Sequence, residues 1–112
     1  MKKILLIGIL LLCLVGCSGK SSGNKLKVLS ESMDPTIKYG DTVIYEKIEF
    51  DSIQIGDIVV CNVNNNMVTH RVIDINQNEQ GKYLTLKGDN NQMADAEKYY
   101  EDSYIGKVTS IK

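Results

Sequence analysis

The sequence predicts a small, mainly β domain, a coiled and partly open β-barrel or sandwich, on three observations. Short runs dense in β-branched and aromatic residues recur along it, with strand pairs spaced by roughly 8 to 15 residues. Gly40-Asp41, Gly56-Asp57 and Asn64-Asn65-Asn66 punctuate those runs with turn chemistry. The one long polar insertion, between Asp89 and Ser103, has too few apolar positions for a sustained helix.

Taken in order, Met1-Lys2-Lys3 opens the chain and an apolar run of twelve residues, Ile4 to Val15, follows. As a helix that run reaches roughly 18 Å at about 1.5 Å per residue. A bilayer core of about 30 Å needs nearer twenty residues, so the run suits the core of a signal peptide better than a membrane span. It closes on Leu14-Val15-Gly16-Cys17, and Ser18 to Lys25 is polar and rich in Gly and Ser. The expected organisation is a leader over 1–16, a flexible tether over 17–25 and one domain over 26–112.

Within that domain Asp41 to Ile48 reads as a strand introduced by Gly40-Asp41. Ile58 to Val63 is the next, and the three asparagines at 64–66, tolerant of the left-handed region, close a hairpin onto Met67 to Ile75. Gln77 to Gly81 is a second polar turn before Tyr83 to Lys87, and Tyr104 to Ile111 is the last strand. The insertion between them is expected as an ordered loop, with at most a short helical piece over Ala94 to Tyr100.

Charge and cysteine content narrow the function. Lys2 and Lys3 leave with residues 1–16, so 11 basic face 14 acidic residues and the formal charge is −3. No basic stripe exists to neutralise phosphates, and nucleic acid is not expected as a partner. Of three cysteines, Cys13 lies inside the leader and Cys17 at its end, leaving Cys61 in the run Asp57 to Asn62 as a small buried hydrophobe. An intramolecular disulfide is then not expected.

Three separated segments carry chemistry. Ser32-Met33-Asp34-Pro35-Thr36 holds the only proline, Val68-Thr69-His70-Arg71-Val72 the only histidine, and Lys87-Gly88-Asp89 leads through Asn90-Asn91-Gln92-Met93-Ala94 to Asp95. A serine hydroxyl is a weak nucleophile until a base within about 3 Å takes its proton. Histidine is the side-chain type whose unperturbed pKa, about 6.5, suits that task near neutral pH. No lysine occurs between Lys47 and Lys82, so none competes with His70 in that segment.

In this order the three segments resemble the nucleophile, base and acidic boxes of the type I signal peptidases. The subtype is the one of archaea, the endoplasmic reticulum and some Gram-positive bacteria, in which histidine replaces the usual bacterial lysine. With Gly56-Asp57-Ile58-Val59 included, the resemblance covers roughly residues 28–108. It implies Ser32 as nucleophile and His70 as general base. Asp95 is favoured as the carboxylate that orients His70, with Asp89 supporting the site or sharing that role; spacing does not decide between them.

For the oxyanion hole it implies the Ser32 backbone N–H, with Ser30 as side-chain donor. A glycine often separates those two serines in the family, whereas Glu31 stands here. Cofactors and metals are not expected. Leu14 to Cys17 likewise resembles the lipobox of bacterial lipoproteins, which implies a diacylglycerol on Cys17 and a domain on the outer face of the cytoplasmic membrane.

The resemblance further implies that an exported precursor lies extended beside the strand leading into Ser32, Lys27 to Leu29, with Val68 and Thr69 as the other wall. Val28, Leu29, Ile37 and Tyr39 are candidates for the pockets that admit small residues. The expected activity is serine endopeptidase cleavage of signal peptides. A peptidase-fold lipoprotein that binds without turnover is the alternative. A self-processing, repressor-like peptidase is a third class, against which the leader and the absent lysine argue.

Overall fold

The structure is a computed structural model that describes residues 23–112. The leader, Cys13 and Cys17 therefore lie outside the described residues. Seven strands form one antiparallel sheet: β1 Asn24–Lys27, β2 Thr42–Glu46, β3 Ile58–Val63, β4 Asn66–Asn78, β5 Gly81–Lys87, β6 Tyr99–Tyr100 and β7 Tyr104–Ile111. Their spatial order is β1-β2-β7-β3-β4-β5-β6.

The mainly β expectation holds, and the sheet is open rather than closed into a barrel. Closure needs long strands at both edges. Here the edges are β1 with four residues and β6 with two, too short to continue the ladder around.

Strands β3 and β7 begin and end where their β-branched runs do. Asn64 and Asn65 adopt φ of 53° and 68°, the two left-handed positions that a two-residue hairpin demands, and β3 pairs with β4 from Val63↔Asn66 to Ile58↔Arg71. Strand β4 is longer than its apolar run. Its first half pairs with β3 and its second with β5, and Arg71 belongs to both ladders. Register shifts at Ile44/Tyr45, Val60/Cys61 and Val72/Asp74 bend the sheet.

The structure refines two expectations. Asn24 and Lys25, assigned to the tether, are the first half of β1, where they pair with Tyr45 and Ile44. The insertion is the ordered loop expected, without a helical piece over Ala94 to Tyr100 and with an unexpected short strand at its end. The Asp95 N–H instead bonds the Leu86 carbonyl at 2.9 Å, and Tyr99 pairs with Leu84 as part of β6. Helical structure among the described residues is confined to two 3₁₀ turns, Phe50–Ser52 and Glu101–Ser103.

Alternation along β3 and β4 builds the larger core. Val59 and Cys61 of β3 and Val72 of β4 join Phe50, Ile53, Leu84, Leu86, Tyr99 and Tyr104, with Val68 packed against them. A smaller cluster of Val28, Met33, Ile37 and Val43, backed by Ile58 and Val108, sits under the segment that carries Ser32. Cys61 is fully buried among apolar neighbours, as expected, and burial with Asp95 nearby pushes its thiol up to about 12. Its thiolate is thereby suppressed.

Candidate active site

His70 sits on β4 directly opposite Val59, so period-two alternation turns it, with Val68 and Val72, toward the larger core at that core's edge. Ser32 reaches it from a turn outside the sheet. Within that turn the Asp34 N–H bonds the Glu31 carbonyl at 3.1 Å and the Ile37 N–H bonds the Met33 carbonyl at 3.0 Å. Met33 and Ile37, both almost fully buried, pin its underside.

Gly88, Asp89 and Asn90 clamp the same turn from the other side. The Asn90 N–H bonds the Ser32 carbonyl at 2.8 Å and its side-chain amide bonds the Glu31 carbonyl at 3.2 Å. Thr36 donates its hydroxyl to Asp89 Oδ2 at 2.7 Å. Gly88 passes so close that a Cβ there would stand 2.6 Å from the Ser32 carbonyl oxygen and 3.0 Å from its Cβ.

The result is a continuous chain of polar atoms. Ser32 Oγ lies 3.0 Å from His70 Nε2, and His70 Nδ1 lies 2.7 Å from Asp95 Oδ2. With its carboxylate on Nδ1, the imidazole holds its proton there and leaves Nε2 free to accept from serine. Tyr99 donates its hydroxyl to the same Asp95 Oδ2 at 2.9 Å. The His70 and Asp95 side chains are 14% and 16% exposed, so the ion pair formed on proton transfer would be shielded from bulk water.

Asp89 lies elsewhere. Arg71, the neighbour of His70 on the opposite face of β4, grips it with Nε on Oδ1 at 2.9 Å and Nη2 on Oδ2 at 2.8 Å, and a third donor binds the Gly56 carbonyl at 2.8 Å. The Arg71 hydrogen bond holds the Asp89 carboxyl below the usual range, burial opposes it, and the Thr36 hydroxyl adds to the lowering. The guanidinium is raised in turn, first by that same bond.

Around the serine, the Ser32 N–H bonds Ser30 Oγ at 3.0 Å, and the Ser30 hydroxyl donates to Ser32 Oγ at 3.2 Å. The Ser30 hydroxyl thus occupies the backbone donor expected of the oxyanion hole. A cleft of about 390 Å³ opens beside these atoms, lined by Leu26 to Ser30, Ser32 and Met67 to His70.

The Peptidase S24-like family matches residues 12–109, most of the sequence. The chain belongs to that family. This Peptidase S24-like chain is 32% identical to signal peptidase I W of Bacillus subtilis (strain 168), over 93% of its own length and 60% of that relative's. It is 40% identical to the signal peptidase complex catalytic subunit SEC11C of Homo sapiens, over 66% of its length and 40% of that protein's. The corresponding subunit sec11 of Schizosaccharomyces pombe is 34% identical, over 61% and 46%. It is thus a type I signal peptidase-like chain that spans 40% to 60% of the length of these relatives.

Of the residues singled out from the sequence, Ser32, His70 and Asp95 come together, Asp89 pairs with Arg71, and Val28, Leu29, Val68 and Thr69 line the cleft. Ile37 does not join them, being fully buried beneath the turn, and Tyr39 is largely exposed and absent from the cleft wall. Sequence reasoning missed Tyr99, Arg71 and Thr36. The signal available for Tyr99 was a Tyr-Tyr pair in an otherwise polar insertion, four residues beyond a site carboxylate.

Proposed function

We propose that this Peptidase S24-like chain is a serine endopeptidase that removes signal peptides from exported precursors, anchored to the outer face of the bacterial cytoplasmic membrane by a lipid on Cys17. The observation that carries the reading is the Ser32 Oγ, His70 Nε2, Asp95 Oδ2 relay, with separations of 3.0 and 2.7 Å. As Ser32 attacks the scissile carbonyl, its proton passes to Nε2, and Asp95 holds the imidazole and offsets its new positive charge. His70 then gives the proton to the departing amine, and water repeats the cycle on the acyl-enzyme.

The substrate lies extended in the cleft, its backbone along Lys27 to Leu29 and its side chains toward Val68 and Thr69. Oxyanion stabilisation requires the Ser30 hydroxyl to rotate away from the Ser32 N–H, after which both donors aim at the developing charge. The supporting experiment is cleavage of a precursor bearing small residues at minus one and minus three by the full-length protein and by its Ser32→Ala variant. Equal cleavage by both would remove the proposal. Lipidation is tested by mass spectrometry of the membrane-extracted protein, where an intact Met1 with unmodified Cys17 would refute it.

One observation favours a second reading, a lipoprotein of this fold that binds peptides without turnover. The Ser30 hydroxyl caps the donor that turnover needs. A fluorophosphonate probe that labels Ser32 in the wild type but not in His70→Ala decides for the enzyme; no labelling in either decides for the binding module.

A further inference from the structure

Tyr99 is the buried titratable group of the site that the relay, as written above, does not use. Its ring is packed in the larger core at 3% exposure, on the two-residue strand β6 held against Leu84 of β5. Its hydroxyl donates to Asp95 Oδ2 at 2.9 Å, the same oxygen that faces His70 Nδ1 at 2.7 Å. A buried phenol needs a hydrogen-bond partner, and phenylalanine would fill the same volume without that need.

Two anchors therefore fix Asp95, both leading to β5: its own N–H on the Leu86 carbonyl, and Tyr99, whose strand pairs with Leu84. Burial and the bond to Asp95 push the phenol upward, with Asp95, Cys61 and Glu97 nearby adding to the effect, so Tyr99 remains a neutral donor across the working pH range.

Resting on the serine-peptidase reading of the site, we propose that Tyr99 is a positioning residue of the relay: by sharing Asp95 Oδ2 with His70 it both aims the carboxylate at Nδ1 and limits how strongly that carboxylate holds the imidazolium proton. A carboxylate oxygen that already accepts one hydrogen bond is a weaker acceptor for the second. Tyr99 thereby keeps His70 free enough to return its proton to the leaving amine. The groups facing this junction are His70 from β4, Cys61 from β3 and Asp95 and Glu97 from the insertion.

The test is Tyr99→Phe in the full-length protein, read in two independent ways. Because His70 is the only histidine, its Nδ1 proton is identified by NMR without assignment, as the downfield resonance that His70→Ala lacks. Loss of the competing donor should move it further downfield. In the cleavage assay kcat should fall about tenfold with KM within twofold, and the acid limb of the pH–rate profile should rise by about half a unit.

Site-specific 3,5-difluorotyrosine at position 99, a stronger donor of nearly the same shape, should shift the resonance and the acid limb the opposite way. It serves as the second variant if Tyr99→Phe folds poorly. In an Asp95→Asn background Tyr99→Phe should have no further effect on kcat. A Tyr99→Phe protein with unchanged resonance, kcat and acid limb, whether or not its Tm drops, would overturn the proposal. If the wild type cleaves no better than Ser32→Ala, the peptidase reading fails while the resonance still decides the role of Tyr99.

Discussion

On the proposed serine-peptidase reading, His70 and its two hydrogen-bonded partners Ser32 and Asp95 act as one unit, which fixes how their variants should combine. Ser32→Ala and His70→Ala should each lower turnover by about 10⁴-fold, and together hardly more, since removing either stops the proton transfer. Steady-state cleavage by the singles and the double checks this; multiplicative losses would show separate roles. His70→Lys should be nearly inactive, because Asp95 lies 2.7 Å from the ring's Nδ1, where a lysine ammonium would be paired and held protonated. The two carboxylates should separate cleanly. Asp95→Asn should lower turnover with little change in Tm. Asp89→Asn, which breaks the Arg71 and Thr36 bonds, should cost about 2 kcal/mol of stability, on the usual worth of charge-assisted hydrogen bonds. The reverse pattern, measured by kinetics beside thermal melts, would exchange their roles.

Among the elements, the segment from Gly88 to Asn90 decides whether Ser32 meets His70 at all. Gly88→Ala would drive its Cβ against the Ser32 carbonyl, so the serine turn must shift by a large part of an ångström. Turnover should fall by about 10²-fold, the usual penalty for an ångström of misplacement, while circular dichroism still reports the native sheet. Retained activity would mean the turn moves without carrying Oγ out of line. This clamp was legible in the sequence only as a Gly-Asp box. The relay was legible because Ser32 and His70 stand in boxes that resemble those of the type I signal peptidases, with Asp95 favoured over Asp89 on the same resemblance, and β3 and β7 because their β-branched runs end in turn residues. The strand leading into Ser32, expected at Lys27 to Leu29, lies earlier as β1, since Leu26 is its sole inward apolar residue and the others are exposed edge positions. Strand β6 escaped notice because its pairing with β5 is non-local, and residues 94–100 offer a local pattern equally compatible with a helical turn.

For the whole molecule, Asp89 should make stability depend on acid. Its folded carboxyl is held below the usual range, so its contribution is fully present above the unfolded carboxylate value of about 3.9 and is lost as the pH falls through the lower folded one. The Tm gap between wild type and Asp89→Asn should therefore be widest near neutral pH and close in strong acid. A gap that stays constant from neutral pH to strong acid would mean the Arg71 pair contributes nothing. The order of the strands has a separate bearing on how the site is held together. Among the described residues, strand β7 is the strand that joins β2, on the Ser32 side, to β3, on the His70 side; Thr42 and Lys112 also exchange both backbone bonds. Loss of β7 pairing would thus part the Ser32 half of the sheet from the His70 half, leaving the bonds of the Ser32 turn to Asp89 and Asn90 as their tie among the described residues.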